Sequence, residues 1–295
     1  MRIEDNMGVP RVLSIAGTDP TGGAGAQADI KAIQAAGGYA MSAITAVVSQ
    51  NTCGVRDVFF PPSHVLAAQL NAISDDVEID AVKIGMLGRR DYCEVVDQWL
   101  HEQNSPIVVL DPVMVATSGD VLTDSHNIIA LRNLLPQAMY LTPNIPELEI
   151  LCGMGRGAIT STQTAINAAQ KLSTTTGAHV VVKGGHLSEP MVTNCIVDGS
   201  EVLAISKAPR IDTTATHGTG CSMSSALATR LAGGETPAQA LEWVTSWLEE
   251  SISNGEALAV GRGCGPIDHG HRARAPEIQV TERSLVSEAS QTLNI

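Results

Sequence analysis

The sequence predicts an α/β domain whose mainly parallel sheet is covered by helices on both faces. Three observations carry that expectation. Strand-like and helix-like segments alternate over most of the 295 residues, the pattern of a parallel sheet built with crossover helices. Hydrophobic residues make up 44% of the chain but aromatics only 3%, so the core must be Ala, Val, Ile and Leu, which suits strands buried on both faces. The unusual motifs all fall at strand ends: Gly17-Thr18-Asp19, Gln50-Asn51, Gly85-Met86, Asp111-Pro112, Asn144 and Lys183-Gly184. Open α/β sheets bind ligands at that edge.

The elements follow in order. Val12 to Ala16 reads as a buried strand, Gly17 to Gly25 as a loop, and Ala26 to Ala36 as a helix ended by Gly37-Gly38. Ser42 to Ser49 reads as one further strand carrying Gln50 at its end, and a helix follows Pro61-Pro62 with Ser63 as its N-cap. Asp80 to Ile84 and Ile107 to Leu110 are apolar strands, with Tyr92 to His101 helical between them. A helix and a strand lead to Thr142-Pro143-Asn144 and another helix; Thr160 to Thr175 is helical and His179 to Val182 a strand. The alternation then breaks. Val192 to Val197 and Glu201 to Ile205, joined by Asp198-Gly199-Ser200, read as a β-hairpin. Helices are expected over Ser222 to Leu231 and from Pro237 to about Asn254. Residues 1–272 form one domain on this reading, and 273–295 a polar tail.

Composition narrows the function. A net charge of −13 argues against nucleic acid or an anionic membrane as a partner. Six scattered cysteines without C-x-x-C spacing support neither a zinc site nor a disulfide framework. No apolar run reaches the ~18 residues of a membrane span, and the N-terminus lacks a signal-peptide apolar region. The expectation is a reduced, cytoplasmic protein without a membrane partner.

The stretch from Thr213 to Ser224, with Gly218, Thr219, Gly220 and Cys221 at its centre, carries the chemistry. It is a glycine-punctuated turn entering an apolar helix. The amides at a helix start lack internal partners and point at anions, and glycines let an anion approach them. Cys221 is expected to have its thiol pKa lowered by the same field. An anion cradle beside an activatable proton acceptor suits phosphoryl transfer to an alcohol.

Other motifs do not hold up. Gly23-Ala24-Gly25-Ala26-Gln27-Ala28 fits G-x-G-x-x-A, but the next strand end lacks the acidic residue a dinucleotide site needs. No Walker sequence and no G-x-S-x-G elbow is present. A cysteine phosphatase loop would need Arg where Leu227 stands.

The motifs AGTDPTGGAGAQADIKA, SQNTCGV, KIGML, LDPVMVATSGD, LTPNIPELEIL, VKGGHL, THGTGC and GCGPIDH occur in one order over Val12 to His269. In that order the chain resembles the hydroxymethylpyrimidine/phosphomethylpyrimidine kinases of thiamin biosynthesis, within the ribokinase-like superfamily. The resemblance implies a three-layer α/β/α sandwich and ATP-dependent phosphorylation of 4-amino-5-hydroxymethyl-2-methylpyrimidine, then of its monophosphate. It implies ATP and Mg²⁺ as cofactors and a homodimer. By the same resemblance Gln50 and Asp29, with Gly17, Val48 and Met86, match positions that hold the pyrimidine. Gly218 to Gly220 would form the anion hole, and Cys221 matches the catalytic base, where sugar kinases of the superfamily carry Asp. Asp111 and Asn144-x-x-Glu147 match the Mg²⁺ and phosphate region, and Lys183 a lysine near the ATP phosphates.

Read without the resemblance, several of these residues have plainer roles. Asn144-x-x-Glu147, with Pro146 in the first turn, is also a capping box. Lys183 is also a strand-end lysine, Gln50 a loop amide, and His217 a turn-shaping residue. Ala215 stands where the resembling pattern has Asn. Two alternatives stay open: a vitamin B6 kinase on the same scaffold, and a non-catalytic pyrimidine-binding sensor. A sugar kinase is disfavoured because position 221 is not acidic.

Overall fold

A computed structural model describes residues 8–103, 106–114 and 125–274. The eight-stranded sheet contains β1 (Arg11–Ala16), β2 (Tyr39–Ile44), β5 (Ala81–Ile84), β6 (Ile107–Leu110), β7 (Tyr140–Leu141), β8 (His179–Val182), β9 (Met191–Asp198) and β10 (Glu201–Pro209). Their spatial order is β10-β9-β8-β7-β6-β5-β1-β2. From β2 through β8 neighbouring strands pair parallel, whereas β9 pairs antiparallel with β8 and β10 with β9. The expected parallel sheet with a hairpin added after it is therefore present.

Side-chain alternation along each strand decides which residues face which helices. Leu13, Ile15, Val82, Ile84, Val108, Leu110, Val180 and Val182 join one core with Leu66, Tyr92, Leu131, Leu148 and Ala165. Those partners come from α2 (Ser63–Ser74), α3 (Arg90–His101), α4 (Ser125–Leu134), α5 (Ile145–Leu151) and α6 (Thr162–Thr176). The intervening Val12, Ala81, Val109 and Val181 join the other core with Ala32, Leu227, Leu241 and Trp247. Those belong to α1 (Gly25–Ala35), α7 (Thr219–Ala232) and α8 (Pro237–Ser253). Three layers result, as expected.

Local differences from the sequence reading have physical causes. The run Ser42 to Ser49 is not one strand. β2 stops at Ile44, Thr45 donates its hydroxyl to the Met86 carbonyl at 2.6 Å, and the chain leaves the sheet. It re-enters extended structure as β3 (Val47–Asn51), paired antiparallel with β4 (Gly54–Phe59) in a separate two-stranded ribbon. Periodicity marks extended backbone but not the sheet it joins, and β4 was missed. Pro62, not Ser63, occupies the N-cap of α2. Helix α7 starts at Thr219, three residues earlier than expected, which places Cys221 inside its first turn. The motif residues 115–120 and the expected tail beyond 274 lie outside the described residues. Arg274 itself pairs with Asp268, so the folded segment runs past 272.

The last described segment closes over the start of α7. His269 is buried, its Nε2 lies 2.7 Å from Ser222 Oγ, and its ring lies 6.0 Å from that of the fully buried Trp247. Burial pulls its pKa from 6.5 down to about 3. The unfolded chain therefore takes up a proton at this group below pH 6.5, whereas the native state holds out until about 3. Stability that this group contributes above pH 6.5 is lost as the pH falls through that window. His269→Gln is expected to flatten the fall in urea-unfolding free energy between pH 6.5 and 4.5 relative to wild type; parallel curves would refute it.

Candidate active site

Two glycine loops far apart in sequence meet to form the floor of the site. Gly218 caps α7 with φ +82°, and a Cβ built there would lie 1.7 Å from the Gly23 carbonyl oxygen. Gly25 opens α1 with φ +56°, and its Cβ would lie 2.4 Å from the Gly17 carbonyl oxygen. Only glycine tolerates both the dihedral and the approach. Asp19 fastens the loops together. Its fully buried carboxylate accepts from the amides of Thr21, Gly23 and Ala24 at 2.9, 3.0 and 2.8 Å. It also meets His217 Nε2 at 3.0 Å, across 198 residues of sequence. Burial opposes the charge, but His217, Thr21 and the amides hold the Asp19 carboxyl well below the usual range. His217 is thus a turn-shaping residue, and Asp19 is its unforeseen partner.

The first backbone bond of α7 runs from Ser222 to the Gly218 carbonyl at 2.9 Å, which leaves the Gly220 and Cys221 amides outside the helix ladder. The Thr219 amide turns back to the Thr216 carbonyl at 3.3 Å, and its hydroxyl does the same at 2.7 Å. Thr219 therefore shapes the turn, and the open donors shift one residue along.

The charged edge lies beside this helix start. A Cβ on Gly220 would stand 3.3 Å from Lys183 Nζ and 3.9 Å from Asp111 Oδ2. Lys183 donates to Asp111 Oδ1 at 2.9 Å, Thr142 Oγ1 to the same oxygen at 3.0 Å, and Ser224 Oγ to Oδ2 at 3.3 Å. Burial works against the Asp111 charge, yet Lys183 and then Lys83 keep its pKa below the usual value. Burial likewise opposes the Lys183 ammonium, and Asp111 and Glu147 hold it charged. Glu147 and Asn144 form the capping box of α5: Asn144 Oδ1 accepts from the Glu147 amide at 2.9 Å, and Glu147 Oε2 from the Asn144 amide at 2.8 Å. Burial pushes the Glu147 carboxyl up to about 7, and the neighbouring Asp111 charge adds to the push against the pull of Lys183.

Asp111 and Glu147 are the acidic groups the site offers a metal. Among the described residues, no cluster of three or more His, Cys, Asp or Glu side chains could hold one. Two mutually repelling carboxylates with no third protein ligand fit Mg²⁺ that keeps waters and leans on phosphate oxygens; they do not fit a closed protein cage.

Cys221 is half-buried. Contrary to the expectation of a lowered pKa, burial pushes its thiol up to about 11; Lys83 pulls it down, Asp29 and Asp111 push it up, and a hydrogen bond from the Gly25 backbone pulls it down.

The positions expected to hold a pyrimidine lie along the Gly17 loop and β3. Met86 lies over Gly17, where a Cβ would come within 2.5 Å of its methyl carbon. The Val48 amide donates to Thr18 Oγ1 at 3.0 Å, tying β3 to the Gly17 loop, and Gln50 sits beyond it at a bulge. Asp29 departs from the expectation. It is fully buried and accepts from Ser14 Oγ at 2.6 Å, Ser225 Oγ at 2.8 Å and Lys83 Nζ at 2.9 and 2.8 Å. It lies beneath the site rather than on its surface. Lys83 went unremarked in the sequence, although a lysine inside the apolar strand AVKI was a signal.

Replacing Gly218 with Ala forces the Gly23 loop away. Its unfolding free energy is expected to fall by more than ~1 kcal/mol, the minimum for a side chain at positive φ, with the urea midpoint as the readout.

With this geometry in place, comparison with known proteins is informative. A family model for phosphomethylpyrimidine kinase matches residues 19–268. The hydroxymethylpyrimidine/phosphomethylpyrimidine kinase of Bacillus subtilis (strain 168) is 40% identical over 265 residues, covering 89% of this chain and 96% of that protein. The thiamine biosynthesis multifunctional protein ThiED of Corynebacterium efficiens is 52% identical over 262 residues. That match covers 88% of this chain but only 35% of the relative, so the chain spans about a third of the multifunctional protein's length. Among solved structures, the ADP complex of Bacillus subtilis pyridoxal kinase superposes with a TM-score of 0.80 at 32% identity, over 90% of this chain and 99% of that one. The chain belongs to the phosphomethylpyrimidine kinase family and carries its fold, a ribokinase-like α/β/α sandwich.

Proposed function

We propose that this chain phosphorylates the hydroxymethyl group of 4-amino-5-hydroxymethyl-2-methylpyrimidine with ATP, and then phosphorylates the monophosphate to the diphosphate. The observation that carries the reading is the convergence at Gly220, where the open amides of α7 meet Lys183 and Asp111. The pyrimidine would sit between Met86, Gly17, Val48 and Gln50, the amide of Gln50 matching the donor–acceptor edge of an aminopyrimidine. Lys183 would face the ATP phosphates, and Asp111 and Glu147 would hold Mg²⁺. When bound, that ion supplies charge neutralisation on the phosphates.

Phosphoryl transfer passes through a loose transition state, so positioning and charge complementarity dominate. The Gly220 and Cys221 amides are fixed in place before reaction, and donors of this kind are each worth ~2.7–4 kcal/mol where one has been removed. A side chain at Gly220 would crowd Lys183, whose Nζ lies 3.3 Å from where its Cβ would stand. The Cys221 thiolate takes the hydroxyl proton late, as the new O–P bond forms and the γ-phosphoryl group's bond to the departing ADP breaks. The thiolate of a thiol near 11 is a strong base, but only about one molecule in ten thousand carries it at pH 7. kcat/KM for the pyrimidine is therefore expected to climb with pH from neutrality towards about 10. Cys221→Ala should lose ~10²–10⁴-fold in rate and the alkaline climb with it, while its urea midpoint stays near wild type. Full activity in that variant would remove the base role.

The second reading is a vitamin B6 kinase, favoured by the superposition on pyridoxal kinase at a TM-score of 0.80. Both substrates are flat heteroaromatics with a hydroxymethyl group. A kcat/KM for the aminopyrimidine at least tenfold above that for pyridoxal supports the first reading; the reverse ratio supports the second.

A further inference from the structure

Within the apolar face that α1, α7 and α8 cover lies a polar island between β1, β5, α1 and α7. Ser14 and Lys83 are register partners on β1 and β5, and both side chains are fully buried. Strand alternation turns them to the same face as Val12 and Ala81, against α1 and α7. Asp29 of α1 reaches down and takes both of its bonds to Lys83 Nζ, at 2.9 and 2.8 Å. Ser225 of α7 donates to the same carboxylate at 2.8 Å. Ser225 lies four residues after Cys221, on the same face of α7 one turn further in. The ion pair is thus tied directly beneath the half-buried thiol.

Two features show that the lysine is accommodated rather than incidental. A Cβ on Gly85 would come within 2.8 Å of Lys83 Nζ, so the glycine after this strand clears the space the ammonium fills. Two of the three Nζ donors go to Asp29, whose carboxylate is also held by Ser14 and Ser225. A buried ion pair adds little to stability compared with apolar packing, which leaves its charge as the feature to explain.

We propose that Lys83 is a positioning residue for the reaction, a counter-charge that favours the thiolate of Cys221, and that Asp29 limits that charge. The inference rests on Cys221 as proton acceptor and names what makes the acceptor usable. Lys83 on β5 is the first of the groups that pull the thiol down, Asp29 on α1 and Asp111 after β6 oppose it, and Lys183 after β8 also interacts with it. Burial against Lys83 is outweighed by Asp29, Cys221 and Asp111, so the ammonium stays charged.

The test reads the thiol itself, without turnover. The full chain is treated with iodoacetamide between pH 7 and 10, and peptide mass spectrometry follows Cys221, with the exposed Cys53 as internal reference. Lys83→Met should slow Cys221 alkylation roughly tenfold or more at each pH, and Asp29→Asn should speed it by a similar factor, because a neighbouring charge shifts a titration by about one to three pH units. A packing defect would move both variants the same way. Shifts of the same sign, or none, overturn the proposal. If Lys83→Met does not fold, Asp29→Asn alone decides, and an unchanged or slower rate in it overturns the proposal. If Cys221→Ala keeps its turnover while these opposite shifts are seen, the base role falls and the electrostatic coupling stands.

Discussion

The start of α7 is where it is because two backbones touch. Gly218 presses against the carbonyl of Gly23, and the buried Asp19 holds the contact closed by accepting from three amides on one side and meeting His217 on the other. Without that contact the amides of Gly220 and Cys221 would have no fixed direction. With it they face the edge where β6 and β8 deliver Asp111 and Lys183. The parallel sheet brings the charges to one rim, and the glycine contact brings the donors to them.

Electrostatics at that rim is local. The chain as a whole is strongly acidic, which repels anionic substrates at long range, but screening confines that repulsion to ~8–10 Å. Inside the site the balance is set by two buried lysines against Asp29, Asp111 and Glu147. The raised carboxyl of Glu147 reflects its burial first, with the neighbouring Asp111 charge adding to it against the pull of Lys183.

Much of this could be read from residue order. Strand–helix alternation and the position of each motif at a strand end located the sheet and the rim. Asn144 and Glu147 announced a capping box, and the box is there. What stayed hidden has identifiable causes. Ser42 to Ser49 looks like one strand because extended backbone has the same periodicity in either sheet; the break depends on Thr45 bonding to Met86, a contact between segments. The raised Cys221 thiol reversed a sound local argument. A helix start is worth only ~0.3–1 kcal/mol to a charge, and burial outweighs it. Asp29, expected at the pyrimidine, is fully buried instead, because strand alternation turns Lys83 towards α1 and gives it a partner.

The ribbon of β3 and β4 stands apart from the main sheet, yet it is not independent of the phosphate end. Its turn residue Thr52 accepts from the amides of Arg262 and Gly263 through its hydroxyl, at 3.2 and 3.1 Å, and from Cys264 through its carbonyl, at 3.0 Å. Cys264 Sγ reaches the Thr214 carbonyl at 3.0 Å and Thr216 Oγ1 at 3.4 Å, and the Thr216 carbonyl receives Thr219. Gln50 and the entrance of α7 are therefore yoked through a chain of contacts. A displacement of the ribbon would thus be passed along these contacts to the turn that enters α7.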